Sequence, residues 1–146
     1  MKPQSLAKLD LLAAAKEAAL LERLGRHSDA LRRYEAQREV LAAYQDRLAD
    51  GWRNGAVVRA GDAQRAGQFS TQAQAATLQL AQAMEAERAK LSECAAALAQ
   101  LRTRRRMLQE RLAGALRLEA AKAQERAARN RPTPPARPLA ERESLA

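Results

Sequence analysis

The second half of this chain carries a heptad repeat that runs unbroken from residue 80 to residue 115. Steps of four and three residues alternate through Leu80, Met84, Glu87, Leu91, Cys94, Leu98, Leu101, Arg105, Leu108, Leu112 and Ala115, and only Glu87 and Arg105 are not apolar. A helix of 3.6 residues per turn drifts off a 3.5-residue seam within a few turns, so a seam kept this long means that the helix coils against a partner helix. A chain built in this way presents surfaces along its length. That makes contact with other macromolecules its expected mode of action, and no enzymatic activity is expected of it.

A second seam precedes the first. Leu6, Leu9, Ala13 and Leu20 share one helix face, and Leu24, His27, Leu31, Tyr34, Arg38, Leu41, Gln45 and Leu48 continue in a displaced register. The jump reads as a stutter, with Gly25 beside it, and predicts a slight bend over residues 20–27. The first helix is expected over residues 5–50, with Pro3 just outside it and Gly51 as its C-cap. A glycine-punctuated connector follows over residues 51–61, in which Val57 and Val58 are expected to pack on the helix ends. Asp62 is the expected N-cap of a second helix over residues 62–130. Pro132, Pro134, Pro135 and Pro138 forbid helix beyond it, and residues 131–146 read as a disordered, basic, Pro-rich tail.

The fold class is therefore all-α, two long helices in an antiparallel coiled-coil hairpin formed by residues 1–130. At 1.5 Å per residue the helices measure about 68 and 100 Å. Folding about residue 56 leaves the last turns of the second helix, beyond about Leu108, overhanging the first. Composition agrees: Ala takes about a quarter of the positions, and the chain holds one Trp, one Phe and two Tyr. These are too few large residues for a globular core, and the abundant Ala, Leu, Glu, Arg, Gln and Lys are strong helix formers.

The net charge of +9 is unevenly placed. Residues 1–62 hold 11 Lys/Arg against 9 Asp/Glu, whereas residues 101–131 hold 10 against 3. A basic end of this kind suits an acidic protein surface, an anionic lipid face or nucleic acid. Nucleic acid lacks support: no aromatic residue interleaves with the arginines, and a basic zipper would place its basic region ahead of the heptads. Nothing reads as a signal peptide or a membrane span, which points to the cytosol.

Chemical sites are scarce. His27 is the only histidine; it has no Cys or His partner at ligand spacing, and reads as a polar seam residue that sets register. Cys94, the only cysteine, reads as a small apolar seam residue. There is no phosphate-binding glycine loop, and carboxylates such as Glu85 and Glu93 read as ion-paired surface. No cofactor, metal or small-molecule substrate is expected.

Around the connector a pattern stands out. Gln37, Leu41, Tyr44 and Leu48 form a stripe near the end of the first helix. Gln64-Arg65-Ala66-Gly67-Gln68-Phe69 follows the glycines, and Ala73, Ala76 and Leu80 then share one face of the second helix. The pattern, with the central break and the basic C-terminal region, resembles the FliJ family of bacterial flagellar export and its type III secretion relatives. Ala66 and Ala73 depart from it, standing where an aromatic and a larger aliphatic are expected.

That resemblance implies an antiparallel two-helix stalk similar to the γ subunit of rotary ATPases. It implies seating in a hexameric type III export ATPase, and coupling of that ring to the cytoplasmic domain of the export gate. Location would then be cytoplasmic and peripheral to the inner-membrane export apparatus, with export chaperones as further partners. The gate patch would fall on Gln37, Leu41, Tyr44, Leu48, Phe69, Ala73, Ala76 and Leu80. The ATPase would meet a basic end made of Arg102, Arg104, Arg105, Arg106, Arg111 and Arg117. The competing readings are a generic coiled-coil adaptor or export chaperone, whose arginines keep it soluble, and a nucleic-acid or anionic-membrane binder using the same arm.

Overall fold

In the computed structural model, residues 2–53 and 59–132 are described; the expectations for Val57, Val58 and most of the Pro-rich tail fall outside them. The described residues form two α-helices packed against each other and no strand: α1, Pro3–Arg53, and α2, Ala60–Arg129. Among the described residues, no helix is long and apolar enough to cross a membrane.

The ends differ from expectation in instructive ways. The carbonyl of Lys2 accepts from the amides of Ser5 and Leu6, at 3.0 and 3.2 Å. Pro3 is thus the first residue inside α1, where its fixed φ suits the helix and its missing N–H costs nothing. Gly51 does not cap the helix, which runs on to Arg53. At the start of α2 the carbonyl of Arg59 accepts from Asp62 and Ala63, both at 3.0 Å, so Asp62 lies within the first turn instead of capping it. Its carboxylate there faces the positive end of the helix dipole. The last turn carries Arg126 and Arg129 at the negative end.

The chain divides into two compact units, Leu11–Arg106 and the pair of terminal segments Met1–Asp10 and Met107–Ala146. In the first, the helices run antiparallel. His27 Nδ1 lies 2.6 Å from Glu87 Oε2. Glu17 accepts from Arg102 Nε at 3.0 Å and from an Arg105 guanidinium nitrogen at 2.5 Å. Tyr44 packs its ring on Phe69. Low numbers on α1 thus meet high numbers on α2 throughout.

Burial along α2 follows the heptad. Met84, Cys94 and Leu98 are buried, and Leu80, Glu87, Leu91, Leu101 and Arg105 are half-buried. The seam also extends back through Thr77 and buried Ala73. The Thr77 hydroxyl donates to the Ala73 carbonyl one turn earlier at 2.8 Å, which lets a polar residue sit there satisfied.

Burial along α1 corrects the expected stutter. The seam runs through the protected positions Leu6, Asp10, Ala13, Glu17, Leu20, Leu24, His27, Leu31, Tyr34, Leu41, Gln45 and Leu48, with further half-buried residues beside it. Only exposed Arg38 interrupts an alternation of four and three, and α1 is one unbroken helix past Gly25. Leu9 stands off the seam at 38% exposure. Two carboxylates occupy the seam where an apolar residue was sought, and one of them, Glu17, takes the arginines of α2.

The terminal unit, considered by itself, places the first turns of α1 with α2 from Met107 onward. Leu6 is buried there, and Leu108, Leu112 and Ala115 are half-buried. Every residue from 116 to 132 is exposed. That stretch is helical through its own residues: alanines, long straight side chains, and a Glu125–Arg129 pair at 3.1 Å one turn apart.

Two outcomes follow. A Cβ added at Gly25 meets nothing within 4 Å, and the residue is in an ordinary helical conformation. Gly25→Ala should therefore stabilise the chain by about 1 kcal/mol in urea unfolding. Glu87→Ala should cost about 1–3 kcal/mol, because His27 loses its acceptor inside the seam. Replacing both residues with Leu should recover most of that loss. A double variant no more stable than Glu87→Ala would show that the two side chains do not act as a pair.

Candidate functional site

Near the connector end of the Leu11–Arg106 unit, side chains from both helices line an open groove of about 550 Å³. α1 contributes Ala36, Gln37, Val40, Leu41 and Tyr44, and α2 contributes Phe69 and Leu80. The alternating seam positions Leu41 and Leu80 on its floor, both half-buried. Ala36, Val40 and Tyr44, each one turn apart, stand just off the seam and form one wall. Val40 is 71% and Tyr44 49% exposed, so two large side chains stand side by side on the surface.

Phe69 and Tyr44 hold that wall in place. Their ring centroids are 4.8 Å apart with the planes tilted by 50°. Such an offset aromatic pair adds about 0.5–1.5 kcal/mol to its area burial. Phe69 is half-buried and packs its ring on Tyr44, while about half of the Tyr44 surface stays exposed. Gln37, exposed at the edge, is the one side chain with amide donors and acceptors in an otherwise apolar lining.

Of the residues the sequence marked as a patch, Gln37, Leu41, Tyr44, Phe69 and Leu80 come together here. Leu48 lines a separate groove of about 400 Å³ with Gln45, Ala49, Trp52, Ala66, Ser70 and Gln74. Ala73 is only 3% exposed and belongs to the seam. Ala76 is half-buried and outside the lining. Val40 and Ala36 were not anticipated. The signal for them is the spacing of four from Ala36 through Val40 to Tyr44, which a search confined to the heptad passes over.

The arginines divide. Arg105 is a seam residue whose side chain is 25% exposed, and with Arg102 it holds Glu17. Hydrogen bonds from Arg105 and then Arg102 hold the Glu17 carboxyl below its ordinary value of 4.5. Arg104 and Arg106 are exposed in the same unit, and Arg111 and Arg117 are exposed in the terminal one. Cys94 is a buried free thiol within the seam. Among the described residues no group of three or more His, Cys, Asp or Glu side chains is placed to hold a metal ion. Glu85, 81% exposed, lies 3.8 Å from Arg88 on the outer face.

No family model, curated protein or solved structure matches this chain.

The Glu17 cluster sets an acid dependence whose sign is fixed. A carboxyl with a lowered folded-state pKa contributes stability that is complete above its ordinary value of 4.5. The contribution is lost as pH falls through the lowered value. Glu17→Gln should therefore reduce the melting temperature at neutral pH, and the difference from the native chain should vanish in strong acid. A deficit that stays constant across that range would mean that the charge on Glu17 is not what the arginines hold.

Proposed function

We propose that this chain is a non-enzymatic central stalk of a bacterial type III export apparatus, flagellar or virulence-associated. It seats in the hexameric export ATPase and couples that ring to the cytoplasmic domain of the export gate, working in the cytoplasm at the face of the inner membrane. The observation that carries this reading is the groove at Tyr44. Five of the residues on which the sequence resembles the FliJ family, Gln37, Leu41, Tyr44, Phe69 and Leu80, converge from two helices on one open apolar surface. A partially exposed tyrosine backed by a phenylalanine is the kind of anchor that dominates protein–protein interfaces.

In this mechanism the gate domain takes the Val40–Tyr44 wall, with Gln37 fixing register by its amide. The exposed arginines of α2 meet acidic loops lining the ATPase pore, where charge sets encounter rate and orientation more than final affinity. Arg102 and Arg105 serve the hairpin through Glu17, so the ATPase contact rests on Arg104, Arg106, Arg111 and Arg117. The chain transmits position and performs no chemical step. One observation favours the second reading, a generic coiled-coil adaptor or export chaperone: part of the arginine run is already used inside the hairpin.

Val40→Asp, at an exposed position, should leave the melting temperature unchanged and weaken binding to a purified gate domain by about tenfold or more. Tyr44→Ala should weaken it similarly while costing about 1 kcal/mol of stability through the lost ring contact. Replacing Arg106, Arg111 and Arg117 with Ala should reduce both the affinity for the export ATPase and its salt dependence. A chain that binds neither the gate domain nor the ATPase would leave the adaptor reading standing in place of the stalk.

A further inference from the structure

A third groove lies in the same compact unit, away from Tyr44 and Leu48. It is lined by Lys16, Ala19, Leu20 and Arg23 of α1 and by Ala97, Gln100, Leu101 and Arg104 of α2, and encloses about 380 Å³. We propose that it is a docking site for a third helix: an amphipathic segment of another protein whose apolar stripe is flanked by Glu or Asp.

The floor accounts for the apolar stripe. Leu20 and Leu101 are half-buried seam residues, and Ala19 and Ala97 beside them are exposed and end at a methyl group. Helix axes pack at about 8–10 Å depending on the side chains at the contact, and alanines on both sides of a trough allow the near end of that range. Leu12 extends the track. Leu12, Lys16, Ala19 and Arg23 follow one another at spacings of four, three and four on one face of α1, and Leu12 is 61% exposed.

The rim accounts for the carboxylates. Lys16 and Arg23 are two turns apart, about 10 Å along α1, and Arg104 stands on the opposite bank. All three are exposed, and none takes part in an ion pair among the described residues. This contrasts with Arg102 and Arg105, two residues before and one after Arg104, which hold Glu17. Three cations around an apolar trough repel one another and attract anionic groups, and a helix carrying acids on both edges of an apolar stripe meets both features at once.

Other occupants fit less well. The groove contains no aromatic side chain on which a base could stack. A second copy of this chain would bring another +9 of charge to a basic surface. The inference goes beyond the stalk reading: Arg104 is shared with the arginines assigned to the ATPase, but the substituted Lys16, Arg23 and Ala97 belong neither to that set nor to the Tyr44 groove, so the two readings fail separately.

The test uses the full chain and a fluorescent synthetic helix of about three heptads, with Leu at the two apolar heptad positions and Glu beside them. Fluorescence anisotropy should show saturable binding. Lys16→Glu with Arg23→Glu should weaken it by about tenfold or more. Ala97→Phe, which fills the trough without changing charge, should weaken it comparably. All these positions are exposed, and circular dichroism and melting should stay unchanged in each variant. A version of the peptide with Lys in place of Glu should not bind.

Four results would overturn the proposal. A scrambled peptide of the same composition could bind as well, which would reduce the site to bulk charge. Ala97→Phe could leave binding intact. A single-stranded oligonucleotide could bind more tightly than the peptide and be lost in the charge-reversed variant. Sedimentation could show a dimer that the same variants disperse, which would make a second copy the occupant.

Discussion

Polar side chains paired across a leucine-rich seam fix how the two helices of this chain meet. Apolar residues recurring every three and four positions supply attraction but little choice, since a slide of one heptad would again set apolar on apolar at most positions. The polar seam residues remove that freedom. Glu87 finds His27 and Arg105 finds Glu17, both within hydrogen-bonding distance. A slide of one heptad would take the Glu87 carboxylate away from His27, to Leu20 or to Tyr34, and beside Leu20 the half-buried carboxylate would have no donor. Polar residues at core positions of coiled coils serve this registering purpose at some expense in stability.

The surfaces available to partners follow from that register. Tyr44 meets Phe69 only when His27 lies by Glu87, and the same alignment sets Ala19 across from Ala97. Two helices cannot enclose each other, so each bank of the hairpin keeps a trough whose floor is made of half-buried seam residues. What differs is the rim. Around Tyr44 it is apolar apart from one amide, which favours a complementary apolar patch and gives little steering at a distance. Around Ala19 and Ala97 it carries three cations, which favour an acidic partner and an on-rate that depends on salt. One simple fold can therefore hold two partners of different chemistry on separate surfaces without an enclosed pocket.

Most of the fold was legible in the sequence because the α2 seam is written almost wholly in apolar residues. The α1 seam was harder to read for a physical reason. At its start two seam positions are Asp10 and Glu17, while Leu9 sits one residue away, so choosing the apolar neighbour displaces the register and manufactures a stutter. Glu17 can be placed correctly only by considering both helices at once, since the arginines that justify it lie 85 and 88 residues along the chain. The helix ends failed on a similar point. Asp50-Gly51 is a sound stop signal locally, yet the helix continues to Arg53. At the Tyr44 groove, the spacing in sequence located the floor and the aromatic pair. The wall at Ala36 and Val40 was missed because those residues lie off the seam, which is also why they remain exposed.

The arginine run shows what the structure adds to a reading of charge. In sequence, Arg102, Arg104, Arg105 and Arg106 form one dense basic feature, and a composition-based view assigns all of it to an acidic partner. Helical geometry separates them by about 100° per residue, so consecutive arginines point to different surroundings. Arg102 and Arg105, three apart, turn toward Glu17 and are spent on the seam, whereas Arg104 and Arg106 point outward on either side of them. The charge that a partner meets is thus smaller than the count suggests, and it is split between faces. Arg104 faces the Ala19–Ala97 trough with two cations contributed by α1, which no inspection of the α2 run by itself could reveal. In the proposed roles recognition is accordingly a property of paired helix faces, and substitutions chosen face by face should separate the proposed partners where substitutions of the whole run would not.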